Sequence, residues 1–282
     1  NNHNNPTLMA QQALDLLDKD DYIFKINGLM TLGQIQSTIG DLENSIKSFR
    51  KAYYLGREHD QLFLEIISLI NLVLKMNQQG KLQEAFILCE QNIERHKDEK
   101  GKLNPLGQLI CIPEGILLYY KGKYDKAKES LLKGIEISEQ LNLVHVAWMP
   151  KLYYAKSCFE KGEIEKAIDI IEELPIYTKK YNLKPNHDWA KIIQEEFEIK
   201  TGKYDINKNF ENRYLKIIES KNHYLYSNYF FNYCIYLIYI EDNIKVLNLL
   251  ENMGDQVYEN LNYIEKLQYN ILFALTHFKM NN

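Results

Sequence analysis

"YYKGKYDKAKESLLKGIEISEQLNL", residues 119–143, and "FEKGEIEKAIDIIEEL", residues 159–174, carry one phrase twice. Each sets a glycine turn ahead of a helical pattern, with an alanine five residues past the glycine: Ala127 after Gly122, Ala167 after Gly162. The same turn recurs along the chain at Gly40-Asp41, Gly80-Lys81, Gly122-Lys123, Gly162-Glu163 and Gly202-Lys203, at intervals of 40, 42, 40 and 40 residues. A degenerate sixth copy falls at Asp242-Asn243, 40 further on. Self-similarity at a fixed interval decides the architecture before any chemistry is sought.

Around each turn the side chains follow a rule. Five residues on stands a small residue (Ser45, Ala85, Ala127, Ala167), and four beyond that Phe49, Cys89, Leu131 or Ile171, on the same helical face. Seven residues before the turn, small residues recur on the preceding helix: Gly33, Gly115 and Ala155. Small residues on both partners let two antiparallel helices approach closely. The turn glycine ends the first helix in a left-handed conformation. The pattern resembles the tetratricopeptide (TPR) helix-turn-helix, lengthened by about six residues over the usual ~34. It predicts an all-α fold: a TPR-like right-handed superhelix, an α-solenoid of antiparallel helix pairs with a period near 40 and a concave inner surface.

In this reading residues 1–282 form a single TPR-like superhelical domain. Residues 8–18 are the second helix of a truncated repeat; helix pairs cover about 22–60, 61–103, 104–142, 143–184, 185–221 and 222–262; 263–282 is an unpaired first helix. Both ends read as cut within a repeat, the mark of a fragment of a longer protein. Pro113 and Pro150 fall inside expected first helices, where each would kink its helix or delay its start.

The composition, 45% hydrophobic and 26% charged over 282 residues, supplies ample core. Net charge is −4 with the signs interspersed, so the chain lacks the basic footprint of a nucleic-acid binder. Its apolar runs are too short to span a membrane. Cys89, Cys111, Cys158 and Cys234 show no CxxC or Cys/His spacing and read as buried free thiols, which fits a cytoplasmic location.

No catalytic signature emerges. The dipeptides Gly80-Lys81, Gly101-Lys102, Gly122-Lys123 and Gly202-Lys203 lack the GxxxxGK[ST] frame of a phosphate loop. HExxH, GxSxG, GxGxxG and DxDxDG patterns are missing, and the seven histidines never pair at i, i+4. The expectation is a non-enzyme with neither metal nor cofactor in this chain.

A binding surface remains. Counting back from each turn places on the concave side Gln34 and Ser37, Asn71 and Asn77, Tyr119, then Trp148, Tyr153 and Lys156. Trp189 and Glu196 follow in the fifth pair, and Tyr229, Asn232, Tyr233 and Tyr236 in the sixth. Aromatic faces mixed with amides suit a sugar, a small metabolite or an extended peptide. The alternative is that Trp148, Trp189 and most of these tyrosines pack between helices.

With the repeats in register, "DDYIFKINGLMTLGQIQSTIGDLENSIKSF", the Asn104-Pro105-Leu106-Gly107 entry, "LLYYKGKYDKA" and "YYAKSCFEKGEIEKA" resemble the sensor domain of MalT-like regulators in the LuxR superfamily, STAND ATPases. That resemblance covers about 10–175. It implies an inducer-sensing superhelix set between a nucleotide-binding module and a helix-turn-helix module, the liganded ATP-bound form self-associating to activate transcription. The implied partners are a small-molecule or peptide effector and neighbouring domains, with no direct nucleic-acid or membrane contact. Two rival readings stand beside it. One is a general TPR protein–protein scaffold, in which Met30 and Gln34 occupy positions where a Lys/Asn clamp for acidic tails would sit. The other is a peptide-pheromone receptor of the Rap or PlcR kind, for which Asn71, Asn77 and Asn232 give only a sparse amide row.

Overall fold

The computed structural model describes residues 5–18, 20–203, 223–253, 258–259 and 261–280. The chain divides into two compact units, Asn1–Ala167 and Ile168–Asn282. The described residues are all-α and TPR-like. The first unit holds α1 (Pro6–Asp15), α2 (Tyr22–Thr38), α3 (Leu42–Glu58), α4 (Leu62–Gln78), α5 (Leu82–Arg95), α6 (Cys111–Tyr120), α7 (Tyr124–Gln140), α8 (Val144–Glu160) and the start of α9 (Ile164–Lys180). The second holds the rest of α9, then α10 (Lys184–Lys200), α11 (His223–Tyr239), α12 (Asn243–Glu251) and α13 (Tyr263–Met280). The second helix expected within 185–221 falls on 204–222, outside the described residues.

Two kinds of turn build the array. Within a pair, Gly40, Gly80, Gly122, Gly162 and Gly202 all adopt positive φ, from 68° to 85°. At the first of them the Gly40 amide donates to Ser37 O at 3.2 Å and the Asp41 amide to Gln36 O at 2.8 Å, the paired bonds of a Schellman C-cap. Between pairs, Asp60, Asn142 and Asn182 take the same left-handed geometry, φ 53–54°. Their short polar side chains tolerate that region better than bulkier ones do. The degenerate sixth turn uses Glu241, at φ 63°.

The small-residue rule has a direct steric basis. A Cβ on Gly33 would lie 2.9 Å from Phe49 Cε2, and one on Gly115 would lie 2.6 Å from Leu131 Cγ. Ser45, Ala85, Ala127, Ala155 and Ala167 are fully buried. Within the first unit α2, α4, α6 and α8 contact one another in series, each first helix stacking on the next pair's. In the second unit α11 packs against α10, α12 and α13. Each unit has its own core, Phe49, Tyr53, Ile66, Leu69, Ile112 and Leu131 in one, Phe230, Cys234, Leu237, Val246 and Leu250 in the other.

Prolines reshape individual helices. The third pair enters through Asn104, whose Oδ1 accepts from the Gly107 amide at 2.6 Å, and a 3₁₀ turn, Gly107–Ile110. Its first helix starts only at Cys111, with Pro113 in the opening turn, where a missing amide is least harmful. Pro150 lies inside α8 and Pro175 inside α9. Near the latter, His187 Nδ1 sits 3.0 Å from Pro175 O and 3.1 Å from Thr178 Oγ1.

Candidate functional site: the open face of the first helices

α4 shows how sequence makes a two-faced helix. Ile66, Leu69, Ile70, Val73 and Met76 are buried in the core. Leu64, Asn71, Lys75 and Gln78 form the opposite, half-buried face. There Asn71 Nδ2 donates to Ile67 O at 2.9 Å and Lys75 Nζ to Gln78 Oε1 at 3.2 Å. Burial pushes the Lys75 ammonium down to about 8. Ser68 Oγ and Gln79 Oε1, at the margin of that face, are buried and have no hydrogen-bond partner among the described residues.

Further along the first unit, tyrosines from α6, α7 and α8 gather. Tyr119 meets Tyr120, Tyr124 and Tyr153 with ring centroids 5.3, 5.8 and 5.5 Å apart. The hydroxyls of Tyr120 and Tyr153 are hydrogen-bonded at 3.0 Å, and the Lys156 ammonium stands 6.0 Å from the Tyr153 ring. The structure thus brings together Tyr119, Tyr153 and Lys156, half-buried side chains from two expected repeats. Gln34 is exposed and Ser37 half-buried on α2.

Other expected groove residues turn inward. Asn77 is 5% exposed and Trp148 6%. In the second unit, described by itself, Asn232 is 4% exposed and spends its amide on Ile192 O at 2.8 Å, and Tyr233 is 2% exposed. These side chains join the packing because first-helix positions near the pair interface turn from groove to core within one residue, about 100° of arc. Trp189, Glu196, Tyr229 and Tyr236 stay half-buried, and Glu196 pairs with Lys200 at 2.6 Å.

A buried ionic cluster escaped the sequence reading. Glu65, 3% exposed, pairs with Arg95, and His96 Nε2 lies 3.8 Å from the same carboxylate and 3.1 Å from Arg95 Nη2. Burial first, then the charges of Arg95 and Arg57, lowers the His96 pKa. Beside it, Tyr53 donates to Asn92 Oδ1 at 3.0 Å, again fully inside. This network ties α3, α4 and α5 together and presents no group to a substrate.

The thiols offer no reactive centre either. All four cysteines are free and buried, and burial pushes Cys111 and Cys158 up to about 11 and Cys234 to about 12. Among the described residues no cluster of His, Cys, Asp and Glu could hold a metal, and no helix is long and apolar enough to cross a membrane. A cavity of about 260 Å³ lies between α3, α4 and α5, near Arg50, Tyr54, Glu84 and Gln91. It is smaller than sites for drug-sized ligands, which start near 300 Å³. The polar and aromatic face of α4, α6 and α8 is the better candidate.

Three comparisons bear on this geometry. The family described as the MalT-like TPR region matches residues 3–205. Two curated relatives, the HTH-type transcriptional regulators MalT of Vibrio campbellii and of Vibrio parahaemolyticus, are each 23% identical over 167 residues, 59% of this chain. The match spans only 18% of the length of those relatives. Among solved structures, the apo form of RapI aligns over 98% of this chain and 90% of its own, with a TM-score of 0.56 and 12% sequence identity. That likeness is one of fold.

Proposed function

The chain belongs to the MalT-like TPR region family, and from that premise we propose that it is the effector-sensing and interaction domain of a MalT-like transcriptional regulator. The effector lies on the open face of the first helices. Its binding is coupled, through modules outside these residues, to ATP-dependent self-association and DNA binding. The observation that carries the reading is the family match over residues 3–205, joined to a face whose polar groups are only partly satisfied.

The physical logic needs no reacting group. Each helix pair meets only its neighbours, so a ligand that changes the packing of one pair rotates every later pair by a small angle. The ligand acts as a switch only if it binds one arrangement more tightly than the other. A cytoplasmic setting follows from that role.

A thermal-shift screen of sugars, organic acids, sugar phosphates and short peptides against the chain tests the proposal. An effector present at 100 times its dissociation constant stabilises the fold by about 2.7 kcal/mol, a clear upward displacement of the melting curve. Stabilisation by protein partners alone would favour the scaffold reading instead.

A further inference from the structure

We propose that the open face of α4 is an anion subsite, in which Lys75, with Asn71, Ser68 and Gln79 around it, receives the carboxylate or phosphate group of a small effector. The inference rests on the effector-sensing reading above and names the chemistry of its ligand.

Position along the repeat makes Lys75 stand out. It lies five residues before Gly80, and the residues five before the other turn glycines are Ile35, Leu117, Ser157 and Phe197. Leu117, Ser157 and Phe197 are buried, so this register belongs to uncharged side chains. Lys75 places an ammonium there, and its one hydrogen-bond partner among the described residues is the neutral Gln78 Oε1. Among the described residues no carboxylate pairs with it.

The neighbours point the same way. Asn71 and Gln79 stand one turn before and after Lys75, and Ser68 two turns before, all on one side of the helix. Among the described residues Ser68 Oγ, on a residue with 0% exposure, has no hydrogen-bond partner, and neither has Gln79 Oε1. A buried polar atom left unpaired is unfavourable, and so is a half-buried ammonium without an anion. A ligand bearing an anionic oxygen removes the deficit at Lys75. The depressed lysine pKa accords with this arrangement, since burial alone accounts for it.

Competitive labelling with trace acetic anhydride, read by peptide mass spectrometry from pH 6 to 11, tests the subsite on the wild-type chain. Inorganic phosphate, succinate and glucose serve as probes. The proposal expects Lys75 to titrate below the other lysines, and phosphate or succinate to slow its acetylation several-fold while glucose does not. Whichever anion protects more strongly identifies a phosphorylated or a carboxylated effector. Lys75 labelling no more affected by either anion than that of surface lysines would overturn the subsite.

Thermal shift with anionic and neutral metabolite pools, on wild type and Lys75→Met, separates the two readings. Stabilisation by the anionic pool that Lys75→Met abolishes supports the subsite. Equal stabilisation of both proteins by either pool overturns the subsite and leaves the sensing role standing. Failure of both pools on the wild type, with no protection of Lys75, overturns both.

Discussion

Leu131 on α7 lies so close to Gly115 on α6 that a Cβ at position 115 would come within 2.6 Å of its Cγ and 3.1 Å of its backbone nitrogen. The repeat therefore depends on hydrogen atoms as side chains. Gly115→Ala is expected to lower stability by about 2 kcal/mol, in the range for overpacking a closed core. Adding Leu131→Ala should recover part of that loss in a double-mutant cycle, because the clash and its relief share one contact. Chemical denaturation of the four proteins checks it.

The turns make a paired prediction. Gly122 has φ +70° and open space around its Cα, so Gly122→Ala meets no neighbour and should cost about 1 kcal/mol through backbone strain alone. Asn142, at φ 53°, sits in the same geometry with a side chain, so Asn142→Gly should be neutral or slightly stabilising. A cost at one turn with none at the other distinguishes turn chemistry from packing.

The Glu65–Arg95 pair is nearly closed to water on the carboxylate side. Removing only the acid, in Glu65→Leu, should destabilise by about 2 kcal/mol or more, because Arg95 keeps a partly buried charge without its anion. The double variant Glu65→Leu/Arg95→Met should be much milder.

His96 adds a pH dependence of defined sign. Its folded-state pKa lies below the ordinary value near 6.5, so the unfolded chain takes up the proton first as pH falls. Its contribution is intact above that value and is lost progressively below it. His96→Asn should flatten the fall in melting temperature between pH 7 and 5.

Lys75 has the complementary dependence. With a folded value of about 8 against 10.5 for an ordinary lysine, its penalty is full at neutral pH and disappears as pH rises through that interval. Lys75→Met should accordingly be more stable than wild type at pH 7, by about 1–2 kcal/mol after allowing for its part exposure, and should converge with it near pH 10.5.

The helix pairs were legible because their turns carry a chemical mark. Glycine tolerates φ > 0, its period is 40, and small residues follow at fixed offsets, so element order could be read off the page. The late start of α6 was foreshadowed by Pro113, whose ring suits an opening turn. Much of the site was not legible. Asn77, Asn232 and Tyr233 differ from groove positions by a fraction of a helical turn, which counting back from a glycine does not resolve. Glu65 and Lys75 look in sequence like any solvated charge, since nothing local shows that Arg95 of α5 will meet Glu65 or that Lys75 will be half-buried on α4. Pro175 was missed because α9 continues through it.

The central claim is that this chain holds a small effector on the open face of its first helices. Native mass spectrometry of the chain, after incubation with a fractionated metabolite extract, measures that most directly. The account predicts a one-to-one adduct of a small molecule, lost in Tyr153→Ala or Lys75→Met while the helical spectrum is kept. A chain that stays free of adducts in every fraction, yet binds a partner protein through the same face, would contradict it.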